Sequence, residues 1–230
     1  MISDSNTKLR GLLVNTAMFQ MLDERQIERV MAGTKTLRLD HNRRVIDKGD
    51  PADGVFWVVY GQVRIGLYNR QGGHKTVEIL GDGQCFGLGE MLHQQPHLTF
   101  VDTIKDTLLL HVDRSAMLAA AQENYALAFF LMNCVGRQFY GLMRDIGGLA
   151  QSARQRLATY LLRQTEVQSA LQDVATIELI ASKTLIASRL NLTPETFSRV
   201  LHELAGDGVI AVAGRRITVL DRRRLGACGA

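Results

Sequence analysis

The 230-residue chain has only three cysteines, Cys85, Cys134 and Cys228, and they are scattered singly. That number and spacing build neither a disulfide framework nor the CxxC pairs of a metal site, so Cys85 and Cys134 are expected as small core hydrophobes. Long apolar runs are missing too. The longest, around Ala126 to Met132, is too short to cross a bilayer, and Asp4, Lys8 and Arg10 precede any apolar stretch, unlike a signal peptide. A cytoplasmic location without a membrane partner is the expectation. No nucleophile motif, P-loop or HExxH is present, so no catalytic residue is assigned and an enzyme is not expected. Charge of one sign is scarce overall, at a net +4, but it is unevenly placed. Before residue 147 there are sixteen basic and sixteen acidic residues; from 147 onward there are eleven and seven. The whole excess sits in the C-terminal part, which favours a polyanionic partner there. A content of 46% hydrophobic and 22% charged residues is that of a globular protein, and the length suits two ordinary domains.

The stretch KTLIASRLNLTPETFSRVLHEL, 183 to 204, reads as a helix-turn-helix. Ile186, Leu190, Leu192, Phe197 and Val200 fall where two crossing helices bury side chains, and Ala187 supplies the small residue of their close approach. Asn191 tolerates the left-handed backbone that a tight turn requires. Thr193 then reads as N-cap and Pro194 as the first helical residue. On the second helix Phe197, Val200, Leu201 and Leu204 share an inner face, and Glu195, Ser198, Arg199 and His202 an outer one. Glu accepts from cytosine N4, Arg forks onto guanine and Ser pairs flexibly, so Glu195, Ser198 and Arg199 are the candidate base-reading residues. The plain alternative is a helical hairpin with a solvated polar face.

Gly206, Asp207 and Gly208 close that helix, and residues 209–212 and 216–220 read as two strands around a turn at Gly214, the layout of a winged helix. Lys183, Arg189, Thr193 and Thr196, with Arg215 and Arg216 at the wing tip, are the candidate DNA backbone contacts.

The N-terminal half reads as β-rich and closed by helices. Asp23, with Gln26 three residues on, caps a short helix to Met31. From Thr34 to Val112, β-prone segments alternate with turn signals at His41-Asn42, Gly49-Asp50, Tyr60-Gly61, Gln71-Gly72-Gly73 and Gly81-Asp82-Gly83, the pattern of a barrel or jelly roll whose interior could hold a small ligand. Residues 55–59 and 63–65 are the clearest strands. A long helix follows. Met132, Val135, Phe139, Leu142, Ile146 and Leu149 are spaced alternately three and four apart, a coiled-coil seam, which serves either a parallel dimer or burial against the roll. A helix-turn-helix needs a dimer to read two half-sites. Gly147-Gly148 breaks helix propensity and Ser152 caps a new helix, so 147–151 is expected as a hinge.

This order resembles the superfamily of the cyclic-AMP receptor protein and the fumarate-nitrate-reduction regulator. The resemblance spans about residues 16 to 225 and rests on IDKGDPADGVFWVVYGQVRI at 46–65, GDGQCFG at 81–87, ARQRLATYLL at 153–162 and LTPETFSRVLHEL at 192–204. The last is similar above all to the dissimilatory-nitrate-respiration branch. The resemblance implies an α+β fold: an effector-sensing cyclic-nucleotide-binding-like β-roll at 1–118, a dimerisation helix and hinge at 119–150, and a winged helix-turn-helix at 151–230. It implies an allosteric transcription regulator, usually an activator, working as a homodimer with double-stranded DNA and RNA polymerase as partners. Glu195, Ser198 and Arg199 match the E-x-x-S-R pattern of the branch whose half-site resembles TTGAT. In cyclic-AMP binders a Glu and an Arg hold the phosphate where Leu88 and Leu98 stand here, and a hydroxyl-bearing residue stands at the place of Gly141, so no cyclic AMP is expected. No N-terminal cysteine cluster exists for an iron–sulfur cluster. An apolar pocket lined by Phe86, Leu88, Leu98, Phe139 and Leu142 is the candidate effector site. Haem is its first candidate, because the nitrate-respiration relatives are associated with haem-based nitric oxide sensing, and an aromatic or other organic ligand is the alternative. His93 and His97 are the candidate axial ligands, with His41, His74 and His111 elsewhere in the roll and Glu90 nearby. A cyclic-nucleotide regulatory subunit of an enzyme or channel would share the roll without needing the reader helix.

Overall fold

The computed structural model describes residues 2–69, 72–168 and 174–229. Gln71, one of the turn signals, lies outside them. The chain divides into two compact units, Met1–Gly141 and Leu142–Ala230, a division that falls within the long helix rather than at 147–151.

The first unit runs α1 (Ile2–Val14), α2 (Glu24–Ala32), β1 (Thr34–Leu39), β2 (Arg44–Ile46), β3 (Gly54–Tyr60), β4 (Val63–Tyr68), β5 (His74–Leu80), β6 (Cys85–Phe86), α3 (Leu88–His93), β7 (Phe100–Thr103), β8 (Thr107–Asp113), α4 (Arg114–Glu123) and the start of α5 (Tyr125–Gly147). The capping box at α2 forms as read: the Asp23 carboxylate accepts from the Gln26 amide at 2.8 Å, and Gln26 Oε1 accepts from the Asp23 amide at 3.1 Å. The strands make two four-stranded antiparallel sheets, in the orders β1-β8-β3-β6 and β2-β7-β4-β5. Side chains from both sheets, among them Phe56, Val58, Phe86 and Leu109 from one and Ile46, Val63, Leu80 and Val101 from the other, meet in one buried cluster, the interior of the roll. The alternate residues of the first sheet, Val55, Trp57, Cys85, Leu110 and Val112, turn the other way into a second cluster with the helices. Strand alternation thus explains why β3 is apolar along most of its length: both faces are covered. At the β3–β4 turn Gly61 has φ +99°, and a Cβ there would stand 2.5 Å from the Asp106 carbonyl oxygen, so only glycine fits.

Helix α5 is 23 residues long. Leu127, Leu131 and Cys134 are buried in the helix-side cluster, with Val135 partly buried against it. The remaining residues of the expected seam, Met132, Phe139, Leu142, Ile146 and Leu149, are exposed. Val135 thus differs in burial from the other expected seam positions, and Leu149 lies past the helix end in a 3-10 turn, Gly148–Ala150. Among the described residues no helix is long and apolar enough to cross a membrane.

The second unit continues from that turn through α6 (Ala153–Gln168), β9 (Ala175–Glu178), α7 (Lys183–Arg189), α8 (Pro194–Gly206), β10 (Ile210–Ala213), β11 (Arg216–Val219) and α9 (Arg222–Gly229). Ser152 and Gln155 form a second capping box at the start of α6. The wing has three strands, in the order β10-β11-β9. The sequence reading has only two of them. β9 pairs antiparallel with β11, burying Ala175 and Ile177 while Thr176 and Glu178 face out.

Candidate nucleic-acid interface and effector cleft

In the second unit the helix-turn-helix is built around one residue in the left-handed region, Asn191 at φ +57°. The chain reverses there, and the Leu192 amide donates back to the Ala187 carbonyl at 2.9 Å. Ser182 caps α7 through the Leu185 amide at 3.3 Å. Thr193 caps α8, its hydroxyl accepting from the Thr196 amide at 3.2 Å, and Pro194 opens the helix where its missing N–H costs nothing. Phe197, Val200, Leu201 and Leu204 are buried, which leaves Glu195, Ser198, Arg199 and His202 on the solvent face. His202 Nδ1 donates to the Ser198 carbonyl at 3.1 Å, one turn back. A backbone amide of the first turn and the Thr193 hydroxyl hold the Glu195 carboxyl below the usual carboxylate range, so it is an acceptor at neutral pH.

Two of the expected phosphate contacts have other partners. Arg189 Nη1 is ion-paired to Asp145 at 2.6 Å, both side chains part-buried, and Arg215 Nη2 donates to the Leu179 carbonyl at 2.8 Å, tying the wing turn to the end of β9. Thr193 and Thr196 spend hydroxyls on the cap, 3.1 Å apart. Lys183 at the start of α7 is half-buried, and Arg216 is exposed on the wing. The sequence reading misses Arg156. From α6 its Nη1 donates to the carbonyls of Leu190 and Asn191, both at 2.9 Å, clamping the turn from behind. Its place in ARQRLATYLL was visible, but its acceptors are backbone carbonyls that only the left-handed turn presents.

In the first unit the five residues of the expected effector pocket are not gathered. Phe86 points into the roll and stacks on Phe56 with ring centroids 5.0 Å apart, whereas Leu88 lies in the helix-side cluster. Leu98, Phe139 and Leu142 are exposed by 68%, 62% and 51%. The reason at Leu98 is local: the Gly49 amide donates to the His97 carbonyl and the His97 amide to that of Asp50, which fixes His97 inward and turns its neighbour outward. A cleft of about 280 Å³ lies on the helix side of the sheet, with Trp57, Leu80 and Phe130 as apolar walls and Glu78, Gln84 and Arg137 as polar ones. Gln138, Cys85 and Cys134 complete it.

The histidines proposed as haem ligands do not line this cleft. His93 is exposed at the end of α3; His97 is buried with Nδ1 3.9 Å from Glu90 Oε1, and this imidazole holds the Glu90 carboxyl below the usual range. His111 is buried between Asp53, 3.2 Å from Nε2, and Asp113. No described imidazole lines the cleft, so its walls do not fit haem held through His93 or His97. Among the described residues no group of three or more His, Cys, Asp or Glu could hold a metal ion.

Two sequence profiles match the chain in the order of these units: a cyclic nucleotide-binding domain over residues 36–124 and a Crp-like helix-turn-helix domain over 155–228. The transcriptional regulatory protein btr of Bordetella pertussis is 26% identical over 209 residues, covering 88% of this chain and 81% of that protein. The solved structure of FixK2 from Bradyrhizobium japonicum is 26% identical with a TM-score of 0.74, covering 86% of this chain and 98% of that one. A mutant of CooA from Carboxydothermus hydrogenoformans shares the fold at 21% identity and a TM-score of 0.75, over 86% of this chain and 89% of that one. Curated regulators similar along most of the chain include cyclic-AMP-activated and global nitrogen regulators, at 20 to 27% identity, so the dissimilatory-nitrate-respiration branch is not singled out. With an effector-type roll, a long helix and a winged reader following in that order, the chain belongs to the CRP/FNR family of transcription regulators.

Proposed function

We propose that the protein is a homodimeric, effector-controlled activator of transcription, acting in the cytoplasm, that binds inverted repeats of TTGAT type. The observation that carries the specificity is the exposed face of α8, where Glu195, Ser198 and Arg199 stand free of the buried inner stripe. An ionised Glu195 accepts from a cytosine amino group, Arg199 forks onto guanine, and the E-x-x-S-R spacing is that of the TTGAT readers. In this reading the roll, the dimer helix with its hinge at 147–151, and the reader are the three working parts, and Lys183 and Arg216 are the side chains best placed for phosphate. Gel retardation at fixed salt tests it: the protein should prefer the TTGAT repeat over a TGTGA repeat, and Arg199→Ala should lose about 1–3 kcal/mol per half-site and relax the preference. Equal affinity for both duplexes overturns the assignment.

The effector is a small organic molecule rather than cyclic AMP or haem. Leu88 is fully buried in the core and Leu98 faces solvent, so neither place offers a charged partner to a cyclic phosphate, whose desolvation would go uncompensated. The helix-side cleft offers two aromatic walls, Trp57 and Phe130, with ring centroids 6.2 Å apart and planes inclined at 39°, and polar groups at Arg137 and Gln138. Calorimetry with cyclic AMP at about millimolar concentration should give no heat. A haem-reconstituted sample should show no Soret band beyond that of free haem, and one that shifts on replacing His93 or His97 would restore the gas-sensing reading.

A further inference from the structure

Sequence spacing casts Cys85 and Cys134 as separate core fillers. The fold brings them together. Because β6 alternates faces, Phe86 turns into the roll and Cys85 turns outward, toward the side of α5 that buries Leu127, Leu131 and Cys134. Both cysteines line the same cleft, and each thiol is the largest influence on the acidity of the other. Arg137, nearly one turn along α5, donates from Nη2 to Cys134 Sγ at 3.5 Å, and Gln138 Nε2 donates to the Cys85 carbonyl at 3.3 Å, so strand and helix are pinned beside the sulfur pair. The contact with Cys85 and then Arg137, against the opposing effect of burial, hold the Cys134 thiol down at about 6; the same thiol contact and burial push Cys85 up. One sulfur is a nucleophile and the other keeps its proton. Cys228 in α9 is the internal comparison: Arg154 Nη2 lies 3.5 Å from its sulfur, but neither of the other two cysteines lies in its unit.

We propose that Cys134 and Cys85 form a peroxide-reactive dithiol site, with Cys134 as attacking thiolate, Cys85 as resolving thiol and a hydroperoxide as the substrate class. The Cys134 thiolate attacks the distal peroxide oxygen; an S–O bond forms as the O–O bond breaks, and the departing alkoxide takes a proton from solvent and leaves as the alcohol, or as water from hydrogen peroxide. Arg137 beside the sulfur stabilises the charge that develops on the leaving oxygen. Cys85 then attacks the sulfenic sulfur of Cys134; the S–S bond forms, the S–O bond breaks, and the hydroxide leaves with the Cys85 proton as water. Two thiols are oxidised by two electrons and the peroxide is reduced by two. A dithiol reductant reverses the step by exchange. The product ties β6 of the roll covalently to the long helix. None of this requires an organic ligand in the cleft, so it stands or fails separately from the effector reading.

The test uses the reduced full-length protein, treated with about one equivalent of hydrogen peroxide, alkylated under denaturing conditions and digested without reductant. A linked pair of peptides carrying Cys85 and Cys134, with Cys228 alkylated, is the expected map. In Cys85→Ser the reaction should stop at a Cys134 sulfenic acid that dimedone labels, and Arg137→Met should slow peroxide consumption on the order of tenfold. A wild-type map with Cys85 and Cys134 both alkylated, or with Cys228 oxidised as fast as Cys134, overturns the proposal. The wild-type map decides the matter even if a variant fails to fold.

Discussion

At φ +57°, Asn191 lets the chain reverse between α7 and α8 without the clash that a β-branched side chain would meet. Asn191→Val should therefore destabilise the second unit by about 1–2 kcal/mol, and Asn191→Gly should be nearly neutral, as read from thermal unfolding by circular dichroism. A valine variant with unchanged Tm would mean that the turn relaxes elsewhere. This turn was legible because left-handed asparagine, N-cap threonine and N1 proline are local signals at adjacent positions. Arg156 and the Cys85–Cys134 pair were not, since each depends on a partner from a distant segment, and neither a carbonyl acceptor nor a facing thiol leaves a pattern in sequence. Leu98 shows the opposite error. Its apolar side chain invited a place in the pocket, but the two backbone bonds of His97 settle which of the neighbouring residues faces inward.

Among elements, α5 carries two stripes with different fates. Leu127, Leu131 and Cys134 serve the first unit's core, and Phe139, Leu142 and Ile146 remain exposed, an area of large apolar side chains of the kind that marks an interaction site. A glutamate introduced into the second stripe would be buried unpaired against its mate in a parallel dimer. Leu142→Glu should accordingly sediment as a monomer and lose affinity for the inverted repeat while keeping the far-ultraviolet circular dichroism of a folded chain; a dimeric Leu142→Glu protein would refute the seam. The heptad spacing marks this stripe in the sequence and includes Val135, which packs partly against the first unit's core, because periodicity gives a face and not which neighbour covers it. β3 and β4 were readable from their β-branched and aromatic runs. β9 and α9 were not: Ala175–Glu178 gains its order from pairing with β11, and α9 is anchored by the buried Leu225.

Over the whole molecule, the neutral charge balance before residue 147 and the surplus after it give the two units different relations to DNA. The surplus should make affinity fall with salt for every sequence. Within it, Arg216 on the exposed wing is the residue whose loss should act uniformly: Arg216→Ala should weaken binding to specific and random duplexes alike and lower the slope of log K against log salt by about one, measured by fluorescence anisotropy. A loss confined to one sequence would make it a base reader instead. The exposed stripe of α5 sets a further condition. If one chain supplies one half-site helix, the repeat is occupied only by pairs, and below the dissociation constant of the pair the amount of competent reader grows as the square of the number of chains. Abundance then acts as a second input beside the effector, and halving the supply of protein cuts the active form to a quarter.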